Sequence, residues 1–360
     1  MEDIQMNNFQ IKSHIHDYEV EFIGDTGETL KSVIKEGDWI IIDNNIKKLY
    51  AENLMPILNE NKHISIDAVE ARKSYQGVES IIKVLIEGGF RKNHRLIAIG
   101  GGITQDITAF ISSILYRGVY WFFFPTTLLA QCDSCIGSKT SINFGEYKNQ
   151  VGGFYPPNKI FINPHYIDTL SEGEMKSGLG EMLHYYIVSG PEDFQFYKKY
   201  FKSAFTDKEI LASLIERSLQ IKKRYIEKDE FDRNIRQVFN YGHSFGHAIE
   251  SLTHYRIPHG IAVSYGMDIA NYISVKLGFI PESVRNEVRK VIINFWSGYE
   301  INEINIDAFI KALSKDKKNV GKQLGLILNK GYGKIFKNVM DNNEHFRGWI
   351  EEYFAKELLF

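Results

Sequence analysis

Leu96-Ile97-Ala98-Ile99-Gly100-Gly101-Gly102-Ile103-Thr104-Gln105-Asp106 decides the fold class. The apolar run reads as a strand, the glycines as a turn, and Ile103 to Leu115 as a helix with Asp106 in its first turn. A strand, a glycine turn and a helix start make an anion cradle, because bare backbone N–H groups and the positive helix end face outward there. Without side chains, the turn lets a diphosphate approach. The same triplet also serves as a tight strand-to-helix turn, and it departs from the G-x-G-x-x-G of ordinary dinucleotide folds.

Upstream of this turn, Trp39-Ile40-Ile41-Ile42 predicts a strand ending in an acidic loop at Asp43-Asn44-Asn45. Val78, Ile81, Ile82, Val84, Leu85 and Ile86 recur at helical spacing and are closed by Gly88-Gly89. Downstream, Val119 to Phe124 reads as a buried strand that stops at Pro125. Small residues, hydroxyls, Asp133 and Lys139 then crowd the segment from Pro125 to Thr140, which is too polar to be only core. Lys148 and Asn149 add an ammonium and an amide suited to phosphate or hydroxyls. Pro156 to Asp168 reads as a closing strand and connector, followed by a capping box at Ser171-x-x-Glu174. Helical periodicity dominates beyond it. The boundary therefore falls near residue 170, with an α/β domain over 1–169 and a mostly α-helical domain over 170–360.

The chain has 360 residues, 44% hydrophobic and 24% charged, the profile of a well-cored globular protein of about two domains. Lys+Arg 43 against Asp+Glu 45 gives a formal charge of -2, so nucleic acid and anionic membranes are not expected partners. Met1 to His14 lacks the basic start and apolar core of a secretory signal. Two cysteines, Cys132 and Cys135, cannot make a disulfide framework and fit a reducing cytoplasm. Their Cys-x-x-Cys spacing lacks the strand, motif and helix order of a thioredoxin-like site.

In the second half, Asn240-Tyr241-Gly242-His243-Ser244-Phe245-Gly246-His247-Ala248-Ile249-Glu250 places His243 and His247 four apart, on one face of a helix. His259, after Pro258, offers a third imidazole. A carboxylate would complete a mixed shell, and a catalytic zinc site needs three protein ligands and an open position. Glu181 is the candidate oxygen ligand, sharing a helix face with His184. The same histidines would also suit solvated or core positions. The cluster Lys315-Asp316-Lys317-Lys318 reads as a solvated face.

The chain from about Asp43 to Lys318 resembles the sugar phosphate cyclases, above all the 3-dehydroquinate synthase family. The collinear motifs carry the resemblance: Glu70-x-x-Lys73, Gly100-Gly101-Gly102-x-x-x-Asp106, Arg117-Gly118, Pro125-Thr126-Thr127-Leu128-Leu129-Ala130-Gln131, Asp133-Ser134, Lys139-Thr140, Lys148-Asn149, Gly180-Glu181, Asp229-Glu230, Asn240-x-Gly-His-x-x-Gly-His and His259-Gly260. The resemblance implies an N-terminal NAD-binding α/β domain, a helical metal-binding domain and an active site in the cleft between them. It also implies a cytoplasmic homodimer serving the shikimate pathway.

By position, Glu181, His243 and His259 match the family's ligands for Zn2+ (or Co2+). Asp43, Asn45, Glu70, Lys73, Gly100, Gly101, Gly102, Asp106, Thr126, Thr127 and Thr169 match its NAD site. Lys139, Asn149, Asn240, His247 and a lysine of the Lys317-Lys318 pair match residues around the substrate phosphate, with Lys148 beside them. Arg117 matches a phosphate contact made across the dimer. Asp133, Lys222 and Arg236 match groups around the substrate's hydroxyls and acid end.

The implied reaction is oxidation, phosphate elimination, reduction and internal aldol closure of a seven-carbon acid sugar phosphate, with NAD regenerated. Two positions depart from the pattern: His184 replaces a lysine that contacts substrate, and Ser138 replaces a glycine. An imidazole is shorter than a lysine side chain, so substrate identity stays open. Sedoheptulose 7-phosphate and glucose 6-phosphate are the alternatives, and a related NAD-dependent polyol dehydrogenase is a third reading.

Overall fold

The computed structural model describes residues 7–145, 147–301, 303–314 and 323–358; Lys317 and Lys318 lie outside the described residues. The chain forms two compact units, Met1–Ser171 with Thr206–Phe231, and Glu172–Phe205 with Asp232–Phe360.

The first unit is built on a sheet of β1 (Phe9–Ile11), β2 (Tyr18–Phe22), β3 (Trp39–Asp43), β4 (His63–Ile66), β5 (Leu96–Gly100), β6 (Trp121–Pro125) and β9 (Lys159–Ile162). Its order is β1-β2-β9-β6-β5-β3-β4, and every pairing except β1 with β2 is parallel. Ile40–Ile42, Leu96–Ile99 and Phe122–Phe124 are buried throughout. Unbroken apolar runs of this kind are what a parallel strand covered on both faces requires. The helices of this part are α1 (Thr26–Val33), α2 (Asn44–Leu49), α3 (Ala51–Glu60), α4 (Tyr75–Glu87) and α5 (Gly102–Ile114). Asp25, Asp43 and Ser74 cap α1, α2 and α4 with their side-chain oxygens. Asp43 thus ends β3 and starts a helix directly, where the sequence suggested a loop. An antiparallel hairpin, β7 (Lys139–Phe144) with β8 (Tyr147–Phe154), packs against α5.

After Ser171 the chain enters the second unit through α6 (Glu172–Ser189) and α7 (Pro191–Tyr200), and α8 (Lys208–Ile226) then rejoins the first. The second unit continues with α9 (His243–Leu252), α10 (His259–Lys276), α11 (Glu282–Ile292), α12 (Ile306–Ser314) and α13 (Glu344–Glu352). It also holds an antiparallel hairpin, β10 (Gln323–Asn329) with β11 (Ile335–Asp341), in a region whose sequence reads as helical.

Helices α6 and α10 are buried along nearly their whole length and form the centre of this unit. Arg285 on α11 grips Asp268 on α10 through two bonds of 3.1 Å. Glycines set the spacing of the central helices. A Cβ on Gly180 would lie 2.5 Å from the Gly260 carbonyl oxygen, and one on Gly266 would lie 1.9 Å from that of Gly242. Only bare backbone allows α6, α9 and α10 so close. Among the described residues, no helix is long and apolar enough to cross a membrane.

Candidate active site

Three elements of the second unit each deliver one ligand candidate. Glu181 lies in the buried middle of α6, His243 is the first residue of α9 after Gly242 in the left-handed region (φ 82°), and His259 is the first residue of α10 after Pro258. His243 Nε2 stands 3.3 Å from Glu181 Oε1, and His259 Nε2 stands 3.6 Å from Glu181 Oε2. One ligand atom from each of the three residues falls within 4.8 Å of the others. These gaps are long for a charge-assisted hydrogen bond. Two ligands at ~2.05 Å from one tetrahedral ion lie about 3.4 Å apart, which matches.

Glu181 Oε2 is buried and accepts no hydrogen bond among the described residues. Such an atom is costly unless a cation faces it. Burial pushes the Glu181 carboxyl up, but His243 and His184 outweigh it and hold the group well below the usual carboxylate range. The residues therefore fit a divalent ion.

Around the triad, His184 is enclosed by Tyr185, Phe239 and His243, with Nδ1 3.5 Å from Glu181 Oε1. His247 is exposed one turn beyond His243, their ring centroids 5.6 Å apart. Arg236 is buried and Asn240 half-buried, both on the short helix Ile235–Asn240, where Asn240 Nδ2 donates to the Gln237 carbonyl. The Nδ1 atoms of both triad histidines have partners. His243 Nδ1 faces the Tyr241 carbonyl at 3.3 Å, and His259 Nδ1 faces Glu250 Oε2 at 3.2 Å. In the sequence Glu250 carries one signal, a place on the same helix face three residues after His247 and seven after His243.

In the first unit, strand order reverses between β3 and β5, so their carboxyl ends flank a crevice of the type that takes nucleotides in open α/β sheets. Asp43 ends β3, Gly100 ends β5, Gly101 and Gly102 open α5, and Thr126 and Thr127 follow β6. Among the described residues, helix α5 has no side-chain cap, and a Cβ on Gly102 would meet nothing within 4 Å. The Thr126 hydroxyl is buried without a hydrogen-bond partner among the described residues. Free N–H groups, open space and an unused hydroxyl fit a diphosphate-bearing cofactor. Asn45 lies in the first turn of α2, and Thr169 Oγ1 meets Tyr50 Oη at 3.0 Å.

Lys73 is buried and donates to Asp106 Oδ2 at 2.7 Å and to Asn149 Oδ1 at 2.5 Å. Burial raises the Asp106 carboxyl against the lowering pull of Lys73. Asn143 Nδ2 donates to Glu70 Oε1 at 2.7 Å, and the Asn149 N–H donates to Asn143 Oδ1 at 2.9 Å. The hairpin carrying Lys139, Lys148 and Asn149 is thereby stitched to Glu70, Lys73 and Asp106, a connection the sequence did not suggest.

Lys222 on α8 donates to both the carbonyl and Oδ1 of Asp133, each at 2.6 Å. Arg117 is exposed on the turn Leu115–Arg117 with φ 63°. Ser138 takes a left-handed φ of 64°, and its hydroxyl donates to Glu230 Oε1 at 2.8 Å.

A parallel-sheet unit with an uncapped glycine turn and a mostly helical unit carrying a Glu-His-His triad define a two-unit fold of the 3-dehydroquinate synthase type. The structure is similar to 2-deoxy-scyllo-inosose synthase complexed with carbaglucose-6-phosphate, NAD+ and Co2+, with TM-score 0.85, 21% identity, and coverage of 96% of this chain and 99% of that one. It is equally similar to 2-epi-5-epi-valiolone synthase from Streptomyces hygroscopicus with NAD+ and Zn2+ bound, with TM-score 0.85, 22% identity, and coverage of 98% and 99%.

Residues 63–177 match the family model described as 3-dehydroquinate synthase N-terminal, and residues 178–319 match 3-dehydroquinate synthase C-terminal. The 3-dehydroquinate synthase of Dictyoglomus turgidum is 38% identical over 315 residues, 85% of this chain and 88% of that protein. The chain belongs to the 3-dehydroquinate synthase family.

Proposed function

We propose that this chain is a metal- and NAD-dependent carbon–oxygen lyase that cyclises a seven-carbon acid sugar phosphate to 3-dehydroquinate and releases phosphate. Membership of the family supports the reading, and the convergence of Glu181, His243 and His259 carries it. When bound, Zn2+ or Co2+ at this triad acidifies a substrate hydroxyl, and NAD at the glycine turn accepts and returns a hydride.

The protein's own groups bind and orient. The open N-terminus of α5 takes the diphosphate, Asp43 and Asn45 the cofactor's hydroxyls, and Glu70, Lys73, Asp106, Thr126, Thr127 and Thr169 complete that site. Lys139, Lys148, Asn149, Asn240 and His247 supply cationic or amide contacts to the substrate phosphate, with Lys317 or Lys318. Asp133, held by Lys222, accepts from substrate hydroxyls, while Lys222 and Arg236 meet the acid end. Charge stabilisation by positioned donors suits an elimination that needs no protein nucleophile. Arg117 is exposed and matches a phosphate contact that the family makes across a dimer, which supports a homodimer as the working form. The buried thiols Cys132 and Cys135, neither of them in a disulfide among the described residues, suit a reducing cytoplasm, where the shikimate pathway runs.

The test supplies the seven-carbon acid sugar phosphate, NAD and Zn2+. Inorganic phosphate and a cyclic ketone should accumulate without net NADH, and His243→Ala should abolish both. Phosphate release no faster than that of His243→Ala would remove the proposal.

One observation favours a second reading, a cyclase for another sugar phosphate. His184 presents a buried imidazole to Glu181 where the family pattern has a lysine for substrate. Sedoheptulose 7-phosphate and glucose 6-phosphate, run beside the acid sugar, decide between the two.

A further inference from the structure

We infer that Glu250 is a positioning residue for the metal site: its carboxylate accepts the Nδ1–H of His259 and turns the Nε2 lone pair toward Glu181. The inference rests on the metal-binding reading of the triad given above. It goes further in assigning a role to a residue outside that triad.

Neutral imidazole carries one N–H, and which nitrogen holds it depends on the partner of each. An ionised carboxylate only accepts, so the 3.2 Å contact between Glu250 Oε2 and His259 Nδ1 puts the proton on Nδ1. Nε2 is left basic and lies 3.6 Å from Glu181 Oε2, the edge length a shared ion requires. His243 obtains the same tautomer from the Tyr241 carbonyl, at 3.3 Å. The two anchors differ in strength: His259 opens α10 with about a third of its side chain exposed, and Glu250 adds a charged acceptor there.

A competing use exists for the same atoms. His247, Glu250 and His259 also offer ligand atoms within 4.8 Å of one another, a second candidate cation group. Serving both groups would require His259 to lose both ring protons. A second ion would therefore displace the Nδ1–H bond to Glu250, so the two groups compete for one side chain and a single ion is expected.

The experiment titrates metal-free full-length protein with Zn2+ against a chromophoric chelator, and with Co2+ while recording its visible spectrum. Wild type, Glu250→Gln, Glu250→Ala and His243→Ala are compared, with the thermal midpoint of each metal-free form. Wild type should take up one ion per chain. Glu250→Ala should weaken Zn2+ binding by about 10- to 100-fold and alter the Co2+ spectrum while its metal-free midpoint stays near wild type. Glu250→Gln, whose amide oxygen still accepts but carries no charge, should fall between.

Wild-type affinity in Glu250→Ala, with binding lost in His243→Ala, overturns this inference and leaves the proposed function standing. Unchanged binding in His243→Ala removes the metal reading itself. Two ions in wild type and one in Glu250→Ala overturns the inference by making Glu250 a ligand. If Glu250→Ala does not fold, wild-type affinity in the isosteric Glu250→Gln overturns it.

Discussion

Gly260→Ala should separate the metal ligands by moving one helix. A Cβ at Gly260 would stand 1.8 Å from the Ser177 carbonyl oxygen and 2.8 Å from the Glu181 nitrogen, where ordinary contact begins near 3.4 Å. The start of α10 would have to retreat from α6 by about 1.6 Å to restore contact at the carbonyl. Added to the present 3.6 Å between Glu181 Oε2 and His259 Nε2, that displacement gives a gap of about 5 Å. Two ligands at ~2.1 Å from one ion cannot stand more than ~4.2 Å apart, so one of the three is lost. Overpacking of this kind costs about 1–3 kcal/mol, and at about 2–4 °C per kcal/mol the metal-free midpoint should fall by roughly 2–12 °C. Zn2+ affinity should fall by more than the roughly 10- to 100-fold expected of an outer-shell change. Chelator competition and calorimetry of the metal-free protein measure the two effects separately. Gly348→Ala is the control: it lies inside α13 with nothing within 4 Å of its Cβ, and should stabilise by about 0.5–1 kcal/mol. One Zn2+ per chain bound at wild-type affinity in Gly260→Ala would refute the packing argument.

Glu287 should contribute to acid stability. Burial pushes its carboxyl up, but Lys198, Gln195 and Tyr332 donate to it and bring it to about 2. A depressed carboxyl stabilises fully above its unfolded value near 4.5 and loses that contribution as pH falls toward 2. The group is part-exposed, so about 1 kcal/mol is expected rather than the ~3 of the full shift. Urea midpoints of wild type and Glu287→Gln should differ at pH 6 and converge near pH 2, and a constant difference would count against this account. At Ser138, the hydrogen bond to Glu230 is worth about 1.5–3 kcal/mol and the left-handed backbone costs about 1–2 kcal/mol. Ser138→Gly loses the bond and relieves the backbone, whereas Ser138→Ala loses the bond alone. Glycine's greater unfolded-state entropy offsets about 0.5–1 kcal/mol of that relief, so denaturant unfolding should place Ala below Gly by up to about 1.5 kcal/mol, and an Ala variant more stable than Gly would count against the left-handed cost.

Sequence patterns resolved these elements unevenly. Continuous apolar runs and the glycine turn predict β3, β5, β6 and the start of α5, because a doubly covered parallel strand has few other ways to be written. Helical periodicity records that one face is buried and is silent about what covers it. Thr206–Phe231 therefore looks like any other helical stretch, although it belongs with the sheet unit. The β10–β11 hairpin escaped for a related reason: Leu324, Leu326, Ile327 and Leu328 are all buried, so the alternation that marks a half-exposed strand is missing. At Asp43, the side chain that suggested an acidic loop is instead a helix cap.

Collinear motifs mark Glu181, His243 and His259 as candidate ligands, and the packing gives those motifs a physical reason. Each proposed ligand is the chain neighbour of a glycine: Gly180 precedes Glu181, Gly242 precedes His243, and Gly260 follows His259. A Cβ on Gly242 would lie 2.6 Å from the Val263 carbonyl oxygen, and one on Gly180 would lie 2.5 Å from that of Gly260. The backbones that carry the ligands are therefore held at the closest approach a polypeptide allows. Carboxylate and imidazole side chains are short, and they share an ion only when their main chains are this near. The glycines and the ligands thus form a single constraint on the sequence. Glu250 stands outside that constraint, since it reaches His259 by a side-chain bond that any chain segment could supply, and for that reason only the folded arrangement brings it to notice.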